Sequence, residues 1–146
     1  MHNIPIKRLR ENAVLPAYAT ASSAGADLCA CVDKPVEVRP HETVMIPLGF
    51  SMAIPGGWAG LVFARSGIAS KRDLAPANKV GVIDADYRGE WWVPIHNHGT
   101  EPRTVEPGER IAQLILVPCM TAAFFEVDSL DETERGAGGF GSTGNK

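Results

Sequence analysis

Short apolar runs, each cut off by proline or glycine, limit what this chain can fold into. They are Thr43-Val44-Met45-Ile46, Phe50-Ser51-Met52-Ala53-Ile54, Leu61-Val62-Phe63, Trp91-Trp92-Val93, Ile111 to Val117, and Phe124-Phe125-Glu126-Val127. Each has the length of a strand and is rich in β-branched or aromatic residues. The turn signals between them, such as Arg39-Pro40-His41-Glu42, Pro55-Gly56-Gly57 and Glu106-Pro107-Gly108-Glu109, recur at the intervals of an antiparallel barrel or jelly roll. Only Ser66 to Leu74 lacks this punctuation and carries helix formers, so one short helix is expected there and the rest is β. Pro94 cannot donate to a ladder and predicts an edge or a bulge.

With 146 residues the chain fits one domain, which buries about 68–70% of the surface its unfolded form exposes. No apolar stretch reaches the length of a membrane span, and Met1 to Arg8 lacks the features of a signal peptide, so a cytoplasmic protein without membrane contact is expected. Cys29, Cys31 and Cys119 cannot all pair, and reduced, buried thiols are expected. A net charge of −3 argues against nucleic-acid binding, which needs many cationic contacts at once. A small anionic ligand needs only two or three well-placed arginines.

From about Asp131 the character changes. An acidic stretch leads into Arg135-Gly136-Ala137-Gly138-Gly139-Phe140-Gly141-Ser142-Thr143-Gly144, too poor in apolar surface to order itself. The chain therefore divides into a β domain, residues 1–130, and a glycine-rich arm, residues 131–146, expected to be mobile. A plain linker would have no use for one Arg and one Phe among glycines.

Two internal segments could carry chemistry. Ala64-Arg65-Ser66-Gly67 precedes the expected helix and brings a guanidinium, a hydroxyl and backbone N–H groups to one place, a fit for phosphate or simply a helix start. Gly81-Val82-Ile83-Asp84-Ala85-Asp86-Tyr87-Arg88-Gly89 reads as a hairpin. Asp86 suits backbone turn chemistry, whereas Asp84, after two β-branched residues, is the better catalytic candidate. His96-Asn97-His98 and Cys29-Ala30-Cys31 lack the further ligands a zinc site needs.

Taken in order, Ala24-Gly25-Ala26-Asp27-Leu28, Arg65-Ser66-Gly67, Gly81 to Gly89, Gly108-Glu109-Arg110-Ile111-Ala112-Gln113-Leu114 and Arg135 to Gly144 resemble the five motifs of the trimeric dUTPase family. The third and fifth are the most specific. The resemblance implies a distorted jelly-roll-like β-barrel subunit with one short helix. It also implies a homotrimer that exchanges C-terminal arms, and active sites built from all three subunits. The activity it implies is hydrolysis of dUTP to dUMP and pyrophosphate with Mg²⁺, which limits uracil incorporation into DNA and supplies dUMP.

Residue roles follow one at a time from the same resemblance. Asp84 matches the general base that orients a water toward the α-phosphorus, a carboxylate that can accept the water's proton. Tyr87 matches the ring that excludes a 2′-hydroxyl. Asn78, Val82, Ile83 and the backbone around them match the part that reads uracil. Arg65, Ser66, Gly67 and Gln113 match phosphate ligands, and Asp27 matches a carboxylate that holds magnesium through water; alone, Asp27 also reads as a strand-end turn residue. On the arm, Arg135 matches the γ-phosphate ligand, Phe140 the ring stacked on uracil, and Gly141, Ser142 and Thr143 further substrate contacts.

The chain departs from the family pattern at Ala64, where proline is usual, and at Ala26, where a larger residue is. Trp91-Trp92 is bulkier than expected, and one of the two must face solvent or a subunit interface. The alternatives are a dCTP deaminase-like enzyme, which shares fold and trimer, and a dUTPase-fold regulatory protein. A deaminase has a proton-shuttling Glu ten positions after the equivalent of Asp84, and here that position is Pro94.

Overall fold

The computed structural model describes residues 3–139. In chain order its elements are β1 (Ile6–Arg8), β2 (Ala17–Tyr18), β3 (Ala26–Cys29), β4 (Val36–Val38), β5 (Thr43–Pro47), β6 (Phe50–Met52), β7 (Trp58–Phe63), α1 (Ser66–Arg72), β8 (Leu74–Pro76), β9 (Gly81–Ile83), β10 (Trp92–Asn97), β11 (Arg103–Val105) and β12 (Arg110–Pro118). All ladders among them are antiparallel. A five-stranded sheet, β2-β3-β12-β7-β9, and a three-stranded sheet, β5-β10-β8, are completed by the pairs β1-β6 and β11-β4. The result is the expected distorted, jelly-roll-like β-barrel with one short helix.

The core forms because the runs alternate. Along β10, Val93, Ile95 and Asn97 are buried while Trp92 is 40% exposed. Trp91 is buried and packs its ring 5.5 Å from that of Phe50. The double tryptophan thus resolves into one core residue and one outward-facing residue. Asn97 is fully buried and its amide is satisfied: Nδ2 donates to the carbonyls of Val38 and Glu101, and Oδ1 accepts the N–H of Gly99. Burying an amide without such partners would cost about 1–3 kcal/mol.

Two of the predicted turns share one construction. Glu42 accepts the Arg39 N–H through its side chain and returns its own N–H to the Arg39 carbonyl, and Glu109 does the same with Glu106. The helix ends slightly earlier than expected, because Asp73 adopts a left-handed conformation (φ 57°) and Leu74 begins a strand.

Four expectations are corrected. Pro94 lies in the central strand of the three-stranded sheet, neither on an edge nor at a bulge. It is tolerated because β8 ends opposite Ile95, and the Pro94 carbonyl accepts the Ala77 N–H where no return donor is required. Gly81 to Gly89 is no hairpin, since β9 pairs with β7 and β10 pairs with β5 and β8, so this segment is a corner between sheets. Phe124 to Val127 forms no strand, and among the described residues no strand lies against it. Cys119 is exposed, whereas Cys29 and Cys31 are buried, and burial raises both of their thiol pKa values.

Gly49 ties the N-terminal segment to the barrel. Its carbonyl accepts the N–H groups of Leu9 and Arg10, its φ is +75°, and a Cβ there would sit 2.5 Å from Cys31 Sγ and 2.7 Å from Ala13 Cβ. Gly57 has a similar φ of +79° but open space around it. Gly49→Ala should therefore lose about 2–4 kcal/mol, from backbone strain plus overpacking, and Gly57→Ala only about 1 kcal/mol from strain. Urea unfolding midpoints of the two variants test this, and equal losses would show that the close approach at Gly49 is not a constraint.

Candidate active site

Two clefts lie at opposite ends of β7. The register Asp27↔Gln113↔Phe63 runs straight across β3, β12 and β7, so the Asp27 and Gln113 side chains emerge on one face. Just beyond Phe63 the chain stays extended at Arg65 and turns into α1. Gly25, Asp27, Arg65, Ser66, Gly67 and Gln113 consequently line a cleft of about 450 Å³. Ser66 and Gly67 are exposed in it.

Charge organises this cleft. Asp27 Oδ1 lies 2.7 Å from Arg65 Nε and Asp27 Oδ2 lies 3.2 Å from Arg110, so one carboxylate holds two guanidinium groups. The Gln113 amide donates to the Ala64 carbonyl at 2.8 Å. Arg110 was not assigned a role from sequence. It falls within the fourth motif, but only the register of β12 on β3 reveals its ion pair.

The second cleft, of about 390 Å³, is lined by Asn78, Val82, Ile83, Asp84, Tyr87 and Trp92, with Met45 and Pro94 at its wall. Two of these features were not legible in the sequence: Trp92 belongs to the cleft, and Met45 reaches it because β5 pairs with β10 through Met45↔Pro94. The turn is held by the Tyr87 N–H on the Asp84 carbonyl and by Arg88, whose guanidinium donates to the carbonyls of Ala85 and Tyr87. Asp84 is exposed at the mouth. β9 is an edge strand, so the outer N–H and C=O groups of residues 81–83 face no other strand among the described residues. Such an edge can read the donors and acceptors of a planar heterocycle.

The sequence reading places these residues in sites built from all three subunits, and within one chain they fall in two separate clefts. Asp84 follows Ile83, which pairs with Gly60, while Arg65 lies beyond Phe63 at the other end of the strand. At 3.3 Å per residue the two backbones are roughly 20 Å apart. Arg135 lines neither cleft; its Nε donates to the Gly138 carbonyl of its own turn. Phe140, Gly141, Ser142 and Thr143 lie outside the described residues.

Among the described residues no three His, Cys, Asp or Glu side chains converge as a metal cage. A single carboxylate such as Asp27 suits a magnesium ion that keeps its waters and takes its direct ligands from phosphate oxygens.

Comparison with known proteins follows the same lines. A family model described as dUTPase matches residues 11–144. The chain is 52% identical over 131 residues to a deoxyuridine 5′-triphosphate nucleotidohydrolase of Desulfitobacterium hafniense, covering 89% of this chain and 87% of the relative. Its fold matches the Staphylococcus bacteriophage 80alpha dUTPase with dUPNHPP at a TM-score of 0.90 and 30% identity, covering 99% of each chain. It also matches a mutant dUTPase from phage phi11 of S. aureus, described with a structural Mg(II) ion, at a TM-score of 0.79 and 26% identity, covering 88% of this chain and 98% of that one.

Gly25 gives the first cleft a direct test. A Cβ there would meet Gln113 Oε1 at 2.7 Å and Gln113 Cβ at 3.3 Å, forcing the amide off the Ala64 carbonyl. Gly25→Ala should weaken binding of inorganic triphosphate, read by calorimetry, by about tenfold, the value of one hydrogen bond to a charged group. Unchanged affinity with Gln113 displaced would remove that residue from the phosphate cleft.

Proposed function

The chain belongs to the dUTPase family, and from that premise we propose how its two clefts divide the work of dUTP hydrolysis. It is a dUTP diphosphatase that splits dUTP into dUMP and pyrophosphate. The observation that carries the proposal is the pairing of an edge strand that leads into Asp84 with a cleft that holds Arg65 at the far end of the same β7.

In the nucleoside cleft, the free edge of residues 81–83 and Asn78 read uracil, and Tyr87 stands against the sugar where a 2′-hydroxyl would need space. Groups left unpaired by the wrong base make such a site selective. The Asp84 carboxylate accepts a proton from a water as the water's oxygen bonds to the α-phosphorus, and pyrophosphate departs. Arg65, Ser66, Gly67 and Gln113 bind the phosphate chain, and Asp27 holds magnesium through its waters. Bound there, the ion would neutralise triphosphate charge. The deaminase alternative is not favoured: Pro94 lines the cleft and has no proton to shuttle.

The separation of roughly 20 Å between Asp84 and Arg65 along β7 is too long for both to address one triphosphate from the same chain. Sites shared between subunits resolve this, with the nucleoside cleft from one and the phosphate cleft from the next. Exposed apolar surface supports association: Met120, Phe124, Phe125 and Leu130 are each at least 84% exposed. Each barrel also carries an open apolar groove of about 470 Å³ lined by Ile4, Ile6, Leu15, Met52 and Leu116 among others. The threefold order itself comes from the family resemblance, as does the role of Arg135 and Phe140 in closing the arm over a neighbour's substrate.

A mixing experiment tests base and assembly together. Asp84→Asn alone should retain dUTP binding and lose at least about 10²-fold in kcat. A chain ending at Leu130 should be inactive for want of its arm. Refolded in equal amounts, the two should recover about one quarter of wild-type sites, since three quarters of random trimers are mixed and each has one intact junction in three. Mixed trimers, verified by mass, that are no more active than their parents would rule out sites shared in this way.

A further inference from the structure

Arg10 ties the N-terminal segment to two residues that line the nucleoside cleft, Glu90 and Trp92. Arg10 grips Glu90 with two bonds, Nε to Oε1 at 2.6 Å and Nη2 to Oε2 at 2.9 Å. The same guanidinium lies 5.4 Å from the centroid of the Trp92 ring, which lines the cleft. Glu90 in turn accepts the Tyr87 hydroxyl on its backbone carbonyl at 2.9 Å. The approach is close enough that a Cβ on Gly89 would lie 2.5 Å from that hydroxyl.

Both ends of this chain of contacts are anchored. The Arg10 N–H bonds the carbonyl of Gly49, and the next residue, Phe50, accepts the Trp91 N–H on its carbonyl while Leu48 donates to the Trp91 carbonyl. Trp91 itself is fixed in the core. Residue 90 thus joins this frame to the Tyr87 hydroxyl, and Arg10 holds its side chain. The Glu90 side chain is only 19% exposed, so its carboxylate is better shielded than an ordinary surface acid. A planar fork on a carboxylate also sets direction, which a lysine in the same place would not.

We propose that Arg10, which lines neither cleft, is a positioning residue for sugar selection: through Glu90 it holds the Tyr87 ring at the spacing that admits deoxyribose and refuses ribose. The inference rests on the reading of Tyr87 as the sugar wall. It assigns a specificity role to an N-terminal residue outside all five motifs.

The test is a steady-state comparison of dUTP and UTP in the full-length enzyme. Arg10→Ala should raise KM for dUTP and lower the dUTP-over-UTP ratio of kcat/KM by about two- to fivefold, the range a partly shielded ion pair supports, with kcat for dUTP unchanged. Arg10→Lys should recover little of the loss. Tyr87→Phe, which removes only the hydroxyl, should lower the dUTP-over-UTP ratio by a similar factor, and adding Arg10→Ala to it should change the ratio no further. Additive losses would show that Arg10 acts elsewhere, and an unaltered ratio in Arg10→Ala would overturn the proposal while leaving Tyr87 in place. Tyr87→Ala distinguishes the underlying reading: if UTP stays excluded in that variant, the sugar wall is wrong and the role of Arg10 falls with it.

Discussion

Strand β7 is the rib on which this molecule depends. On one side its ladder with β12 brings Gln113 opposite Phe63, and the next register across brings Asp27 into the same row. On the other side its ladder with β9 delivers Asp84 at the opposite end. A slip of one residue in either pairing would turn the Gln113 and Asp27 side chains, or the Val82 edge, to the wrong face. Register here is well determined, because Val62 and Leu114 are both buried and would be exposed by any slip.

The two ends of the rib differ in character, and the difference suits the tasks proposed for them. The Asp84 end offers shape and backbone: a sheet edge, an aromatic ring and an exposed carboxylate. The other end is electrostatic, with Arg65 and Arg110 both held by Asp27. Holding charged donors in place lowers the ordering cost of binding. Shared use of Asp27 also means that an incoming triphosphate competes with this carboxylate for Arg65, so the cleft does not hold unopposed positive charge while empty.

Much of this was legible in the residues. Proline and glycine punctuation located β5, β6, β7, β10 and β12, the one unpunctuated segment gave the helix, and the motifs carried the site residues that line the clefts. Pairing partners were not legible, because alternation along a run states which face is buried but not which strand lies beside it. Pro94 was therefore misplaced to an edge, and Gly81 to Gly89 was read as a hairpin when it is a corner. Phe124 to Val127 looked like a strand because its composition is that of one, yet a strand needs a partner, and among the described residues none lies against it. Arg110 and Arg10 escaped notice for the same reason, since their roles depend on contacts 83 and 80 residues away.

The central chemical claim is that a water poised by Asp84 attacks the α-phosphorus of dUTP. Hydrolysis in ¹⁸O-labelled water, with both products analysed by mass spectrometry, tests it most directly. The account predicts one ¹⁸O atom in dUMP and none in pyrophosphate. Label in pyrophosphate with unlabelled dUMP would place the attack on the β-phosphorus, and Asp84 could not then have the role described.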